Sequence, residues 1–216
     1  YNVEKFLNQT LDSFICDEAV MKKFEVIVVD DGSKDNTAKI GKEYADKYPD
    51  TFRVISKENG GHGSTINCGI RNAVGKYFKV VDGDDWVNTA DFVKLVEDLE
   101  KTESEYVFTN YYEYYDDVNR QKAVDFPQFK DGTEYDFADV ANKVYIPMHA
   151  LVIKTSVLKD NNIVIDEKCF YVDVEYVMFP VPFVNKVTFF DLHVYMYRLA
   201  LSTQSVSILG FQKHIN

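Results

Sequence analysis

Apolar side chains near the start of the chain fall at Val3, Phe6, Leu7, Leu11, Phe14 and Ile15. That three-and-four spacing predicts a helix with one buried face. The rhythm then changes. Phe24 to Val29 is almost continuously apolar and β-branched, the pattern of a strand covered on both sides in a parallel sheet. It runs into the turn cluster Asp30-Asp31-Gly32-Ser33. Asp35, Asn36 and Thr37 supply N-cap candidates for a polar-faced helix over Ile40 to Tyr48. Phe52 to Ser56 reads as a strand, Asn59 to Gly63 as a loop and Ser64 to Ala73 as a helix. Tyr77 to Val81 reads as a strand ending in Asp82-Gly83-Asp84-Asp85, and Asn88-Thr89 opens a helix to about Glu100. This alternation predicts an α/β, doubly wound sheet.

The second half is less regular. Tyr106 to Tyr115 is aromatic and strand-like, Lys130 to Thr133 is a turn, Met148 to Ile153 a strand and Thr155 to Asp160 a short helix. Val187 to Phe190 and Val194 to Tyr197 read as two closing strands. Tyr106, Phe108, Tyr112 and Tyr114 alternate, so a buried strand face explains them better than a sugar-stacking surface. No Pro/Gly/Ser linker divides the chain, which predicts one domain over 1–216 with halves 1–105 and 106–216.

Composition narrows the function. Asp and Glu number 35 against 24 Lys and Arg, for a net charge of −11. A nucleic-acid backbone or an anionic membrane surface needs a basic face, so neither is expected as the main partner. Cys16, Cys68 and Cys169 stand far apart without a CxxC pair, which points to a reducing, cytoplasmic compartment. The longest apolar run, Tyr176 to Val184, is short and holds Pro180 and Pro182, so no membrane span is expected. The chain opens on Tyr1-Asn2 without an initiator Met; we expect a fragment whose first strand is missing.

The candidate chemistry lies at the two acidic strand ends. In open α/β sheets ligands bind at the carboxyl ends of strands. Asp82, Asp84 and Asp85 place three carboxylates within four residues. Two such charges ~4 Å apart repel by roughly 4 kcal/mol at an effective dielectric of about 20. A hard divalent cation, Mg²⁺ or Mn²⁺, relieves that repulsion; a solvated turn capping the next helix is the simpler alternative. Gly60-Gly61-His62-Gly63-Ser64 precedes a helix but completes neither a P-loop nor GxGxxG, and His62 reads as a loop histidine. His193 reads as a partly buried histidine at a strand start rather than a third metal ligand.

Taken in order, Tyr1-Asn2-Val3-Glu4-Lys5-Phe6-Leu7, Val28-Val29-Asp30-Asp31-Gly32-Ser33, Asn59-Gly60-Gly61, Asn67-Cys68-Gly69-Ile70 and Val80-Val81-Asp82-Gly83-Asp84-Asp85-Trp86 resemble the family 2 glycosyltransferases. The likeness continues more weakly through Tyr171-Val172-Asp173-Val174-Glu175-Tyr176 and Ser205-Val206-Ser207. These are inverting enzymes with the GT-A fold, so the resemblance implies a mixed, mostly parallel sheet flanked by helices. It also implies transfer of a sugar from a nucleotide-sugar donor, most simply a UDP-sugar, to a hydroxyl of a glycan or lipid-linked acceptor. A divalent metal, Mn²⁺ or Mg²⁺, is the implied cofactor, and the inner face of the membrane is a setting consistent with such an acceptor.

Residue by residue, the resemblance puts Tyr1 near the nucleotide base and Asp31 on the base or ribose. Asp82 falls near ribose and diphosphate, Asp84 on the metal, and Asp85 stands as the alternative ligand. Asn67 falls to the nucleotide side and His149 to the acceptor floor. Arg198 is read from its own chemistry: its planar fork suits diphosphate oxygens, and a surface ion pair in so acidic a chain is the equal alternative. Asp173 matches the catalytic base, with Glu175 as the alternative. Ile66 stands where the family often has Arg, and Val172 where it usually has Glu. Two rivals stay open: a nucleotidyltransferase, and a module that binds nucleotide-sugar or glycan without turning it over.

Overall fold

The computed structural model describes residues 1–200; Ser205, Val206 and Ser207 lie outside the described residues. The first half runs α1 (Leu7–Asp12), α2 (Glu18–Met21), β1 (Val26–Asp30), α3 (Thr37–Lys47), β2 (Phe52–Ser56), α4 (His62–Asn72), β3 (Tyr77–Phe78), β4 (Trp86–Val87) and α5 (Thr89–Leu99). The second runs β5 (Tyr106–Tyr115), β6 (Arg120–Val124), β7 (Thr133–Asp136), α6 (Phe137–Ala141), β8 (Leu151–Lys154), α7 (Thr155–Asp160), α8 (Val172–Met178), a 3-10 turn over Val181–Phe183 and β9 (Lys186–Leu199).

β1 and β2 form a parallel pair. A second sheet has the order β3-β8-β5-β9-β4, with β6 on β5 and β7 on β9. The two halves therefore interleave: β8 and β9, from the second half, pair with β3 and β4 from the first. Side chains alternate across this sheet as the pleat requires. Tyr106 and Phe108 of β5, Leu151 and Ile153 of β8, and Val187 and Phe189 of β9 pack into one core with Ile66, Leu158 and Tyr176. Val107, Val152, Phe190 and Val194 point the other way, into a core with Leu7, Leu11, Phe52 and Leu95. Tyr106 and Phe108 are thus core residues.

The α/β fold with a mixed sheet flanked by helices is as the sequence predicts. The expectation that pairing is mostly parallel needs correction. Among the described residues only β1·β2 and β5·β9 are parallel, and both connections contain helices; β3·β8, β4·β9, β5·β6, β5·β8 and β7·β9 are antiparallel. β5 and β6 are joined by a turn too short for a crossover, which only an antiparallel pair accepts.

Two further expectations change. The closing strands are one strand, β9, whose register against β5 shifts on either side of Asn110, so the polar stretch Asp191–His193 is a bulge rather than a break. The ladder of β3 stops at Phe78 although the apolar run continues to Val81. Beyond it, the carbonyls of Leu151 and His149 accept from Lys79 Nζ, at 3.2 and 2.7 Å, rather than from a backbone amide.

Candidate active site

The Asp82–Asp85 turn leads into β4 and closes with Asp85 N donating to Asp82 O at 3.1 Å. Asp85 is buried. Its Oδ2 accepts from Tyr195 Oη at 2.6 Å and its Oδ1 from Arg198 N at 2.8 Å. Burial, then the charges of Asp82 and Asp84, push its carboxyl well above the usual carboxylate range. Burial and Asp82 also raise Asp84. Asp82 goes the other way: burial opposes its ionisation, but the His62 imidazole outweighs it and holds the carboxyl low. Two of the three acids are thus held against ionisation, the state an added positive charge would reverse.

His149 packs its ring on Tyr197, with centroids 3.8 Å apart and planes at 28°, and sets an edge toward Tyr195. Burial lowers its pKa to about 4, so at neutral pH it offers a lone pair. One ligand atom each from Asp82, Asp85 and His149 lies within 4.8 Å of the others. Two carboxylate oxygens and an imidazole nitrogen form a donor set that suits Mn²⁺ and tolerates Mg²⁺. His149, expected on the acceptor floor, therefore joins the acidic cluster, and Asp84 stands outside the triad.

Asp173 lies in the first turn of α8. Its negative charge adds to the electrostatics of His62, Tyr145, His149 and Tyr197. Its neighbour Glu175 is committed elsewhere, accepting from Asp166 N at 2.8 Å. Tyr171, the residue before α8, sits at φ +61 and is exposed. A non-glycine residue there costs of order 1–3 kcal/mol and such outliers cluster at functional sites.

The remaining expected residues divide. Tyr1 is exposed. Asn2, Val3 and Glu4 anchor it by bonding Ser33, Thr37 and Asp35 after β1. Asp31 is 2% exposed and turns its carboxylate into the neighbouring loop. It accepts from Lys57 Nζ at 2.7 Å, Gly60 N at 2.9 Å and Gly61 N at 2.8 Å. Arg198 is also buried; it donates to Asp84 O, Asp116 and Gln9, and its guanidinium lies 4.6 Å from the Trp86 ring centre. It braces the acidic turn from behind. His193 stacks on Tyr112 and bonds Asp125 at 2.6 Å.

Asn67 is buried, and its side chain pairs with Ile165 as a strand would: Nδ2 to Ile165 O at 2.8 Å, Ile165 N to Oδ1 at 2.9 Å. This ties α4 to the segment that leads into α8. Asn67→Ala would orphan two buried backbone groups, and a loss of about 2 kcal/mol in a urea melt is expected.

Three residues of the site escape sequence reasoning. Tyr195 is buried and joins both ends of the acidic turn, also accepting from Asp82 N at 3.2 Å. Lys79, lowered to about 7 by burial, holds the peptide of His149. Its signal was in the sequence, since a lysine inside an otherwise apolar strand run needs a buried partner. His62 lies with Nε2 3.2 Å from Asp82 Oδ1, not as a detached loop histidine.

The model of the family described as Glycosyl transferase family 2 matches residues 1–161. Uncharacterized glycosyltransferase EpsJ of Bacillus subtilis is 38% identical over 112 residues, covering 52% of this chain and 32% of EpsJ. Minor teichoic acid biosynthesis protein GgaB of the same organism is 34% identical over 105 residues, covering 49% of this chain and 12% of GgaB. The chain thus spans about a third or less of the length of these relatives. Among solved structures, S. aureus TarS 1-349 in complex with UDP-GlcNAc superposes with a TM-score of 0.77 at 24% identity, covering 93% of this chain and 57% of that one. Mannosyltransferase PcManGT from Pyrobaculum calidifontis, in complex with GDP-Man and Mn2+, gives 0.64 at 18% identity, over 91% and 54%. These structural likenesses establish the fold, and no helix among the described residues is long and apolar enough to cross a membrane. The family match extends over most of the chain and takes in the acidic turn at its centre: the chain belongs to glycosyl transferase family 2.

Proposed function

We propose that this chain carries the catalytic site of an inverting glycosyltransferase that moves a sugar from a UDP-sugar to a hydroxyl of a glycan or lipid-linked acceptor. The observation that supports this reading is the Asp82–Asp85–His149 donor set, at whose imidazole the charge of Asp173 is felt. Residues 1–105 supply most of the donor side and residues 106–216 the acceptor side. The free thiols of Cys16, Cys68 and Cys169 agree with a reducing, cytoplasmic setting.

In the reaction the acceptor oxygen forms its bond to the anomeric carbon as the bond to the diphosphate oxygen breaks, which inverts that carbon. Asp173 takes the acceptor proton as general base. Its carboxylate carries no hydrogen bond from the described residues, so its lone pairs stay available. Asp82, Asp85 and His149 would hold Mn²⁺ or Mg²⁺, with Asp84 beside them. When bound, that cation supplies Lewis-acid stabilisation to the departing nucleoside diphosphate. Tyr1, at the rim, offers a ring for the base to lie against. The bound UDP-GlcNAc of TarS supports UDP over GDP as the nucleotide.

Calorimetry of UDP and GDP, each with Mn²⁺ and with EDTA, tests this assignment. UDP is expected to bind at least 10-fold more tightly with Mn²⁺, and UDP-sugar with acceptor to release UDP. Metal-independent binding would overturn the cation's role, and a preference for GDP the choice of donor. UDP binding without release across an acceptor panel would indicate a binding module instead.

A further inference from the structure

His62 is held by its surroundings in a way that an ordinary loop histidine is not. It is the first residue of α4, directly after Gly61, whose φ of +84 needs glycine. The preceding turn is fixed by the three hydrogen bonds that Asp31 accepts from Lys57, Gly60 and Gly61. The other side of the turn is docked on the segment before α8. Lys168 N donates to Gly60 O at 3.0 Å, and a Cβ on Gly63 would fall 1.9 Å from Asp166 O. Ser64 Oγ donates to Gly61 O at 2.7 Å, which closes the turn. From this anchored backbone the imidazole reaches across to Asp82, 3.2 Å away, with Asp173 near enough to add its charge.

We propose that His62 is a positioning residue that holds the Asp82 carboxylate in the orientation needed to receive the cation and the donor diphosphate. The proposal rests on the role given above to Asp82. Metal-binding carboxylates are commonly oriented by hydrogen bonds from outside the coordination shell, and removing such a partner costs 10–100-fold in metal affinity. The role does not require a charged ring: Nε2 lies 3.2 Å from Asp82 Oδ1, within reach of a proton on that nitrogen in either the neutral or the charged imidazole. It also gives the first acidic strand end a function. Asp31 orders the turn that presents His62, and His62 in turn orders Asp82.

The test compares His62→Leu, which keeps bulk without a donor, with His62→Gln, whose amide can donate from a similar reach. The readout is Mn²⁺-dependent UDP binding by calorimetry, with Tm measured alongside without metal. His62→Leu is expected to weaken Mn²⁺-dependent UDP binding by about 10–100-fold with Tm little changed, since the ring is partly exposed. His62→Gln is expected to recover most of that loss. Wild-type binding by the folded Leu variant overturns the proposal, as does a Gln variant no better than Leu. If Leu does not fold, the Gln variant decides alone: near-wild-type binding supports the role and a loss as large as 10-fold overturns it. Failure of the wild-type chain to bind UDP with Mn²⁺ would instead sink the functional assignment on which His62 depends.

Discussion

Replacing Asp173 by Asn is expected to lower the rate of sugar transfer by about 10³-fold, while Mn²⁺-dependent UDP binding stays within a factor of two. A positioned general base contributes typically 10²–10⁴-fold, and Asn keeps the shape of the side chain without its basicity. The paired variant is Glu175→Gln. Glu175 faces Asp166 N at 2.8 Å, so its loss should be felt as a small drop in stability and a change in kcat below about 10-fold. The contrast rests on surroundings: of the two acids opening α8, Asp173 adds its charge at His62, His149 and Tyr197, and Glu175 caps a neighbouring backbone amide. Initial rates of UDP release at saturating donor give the measurement. A crippled Glu175→Gln beside an active Asp173→Asn would reverse the assignment. Loss of UDP binding in Asp173→Asn would mean that the carboxylate serves the donor rather than the acceptor.

The sequence made the elements of the first half legible because their apolar spacing is set locally. β2 matches its expected span, and α3, α4 and α5 begin and end within about three residues of theirs; in the second half α7 also matches. What local pattern cannot hold is pairing. β7 reads as exposed alternation with no face of its own, and it becomes a strand through its partner β9. The same limit governs the site. Asp82, Asp84 and Asp85 could be found because three carboxylates in four residues are conspicuous in one dimension. His149 could not be placed among them, since 64 residues separate it from Asp85 and only the β8–β5–β9 pairing brings it across to Tyr195 and Tyr197. Asn67 and Arg198 have the polarity of ligand-binding groups, but burial determines what they touch: Asn67 completes the backbone bonding of Ile165, and Arg198 braces the acidic turn. Polar residue types state a capacity for bonding; the fold decides whether a substrate or the chain itself satisfies it.

Asp31→Ala is expected to destabilise the chain by about 3 kcal/mol, the scale on which removing one member of a buried ion pair acts. Alanine leaves Lys57 Nζ without its carboxylate and the amides of Gly60 and Gly61 without their acceptor, in a turn that little solvent reaches. Asp31→Asn should cost less, because one oxygen still accepts. The pH dependence separates charge from packing. Burial alone would raise the Asp31 pKa, but Lys57 and the two glycine amides outweigh it and hold it below its ordinary value. Ionisation is therefore favoured by folding. The stabilisation is present in full above the unfolded carboxylate pKa of about 3.9 and is lost as pH falls through the lower folded value. In urea melts the gap between wild type and Asp31→Ala should stay constant from pH 7 to 5 and narrow below about pH 4. A gap independent of pH would assign the effect to packing. Because the same turn presents His62 to Asp82, the Ala variant should also lose Mn²⁺-dependent UDP affinity at temperatures where it remains folded, although the Asp31 carboxylate itself bonds Lys57, Gly60 and Gly61. Undiminished affinity in the folded Ala variant would separate the two acidic strand ends and leave Asp31 a purely structural residue.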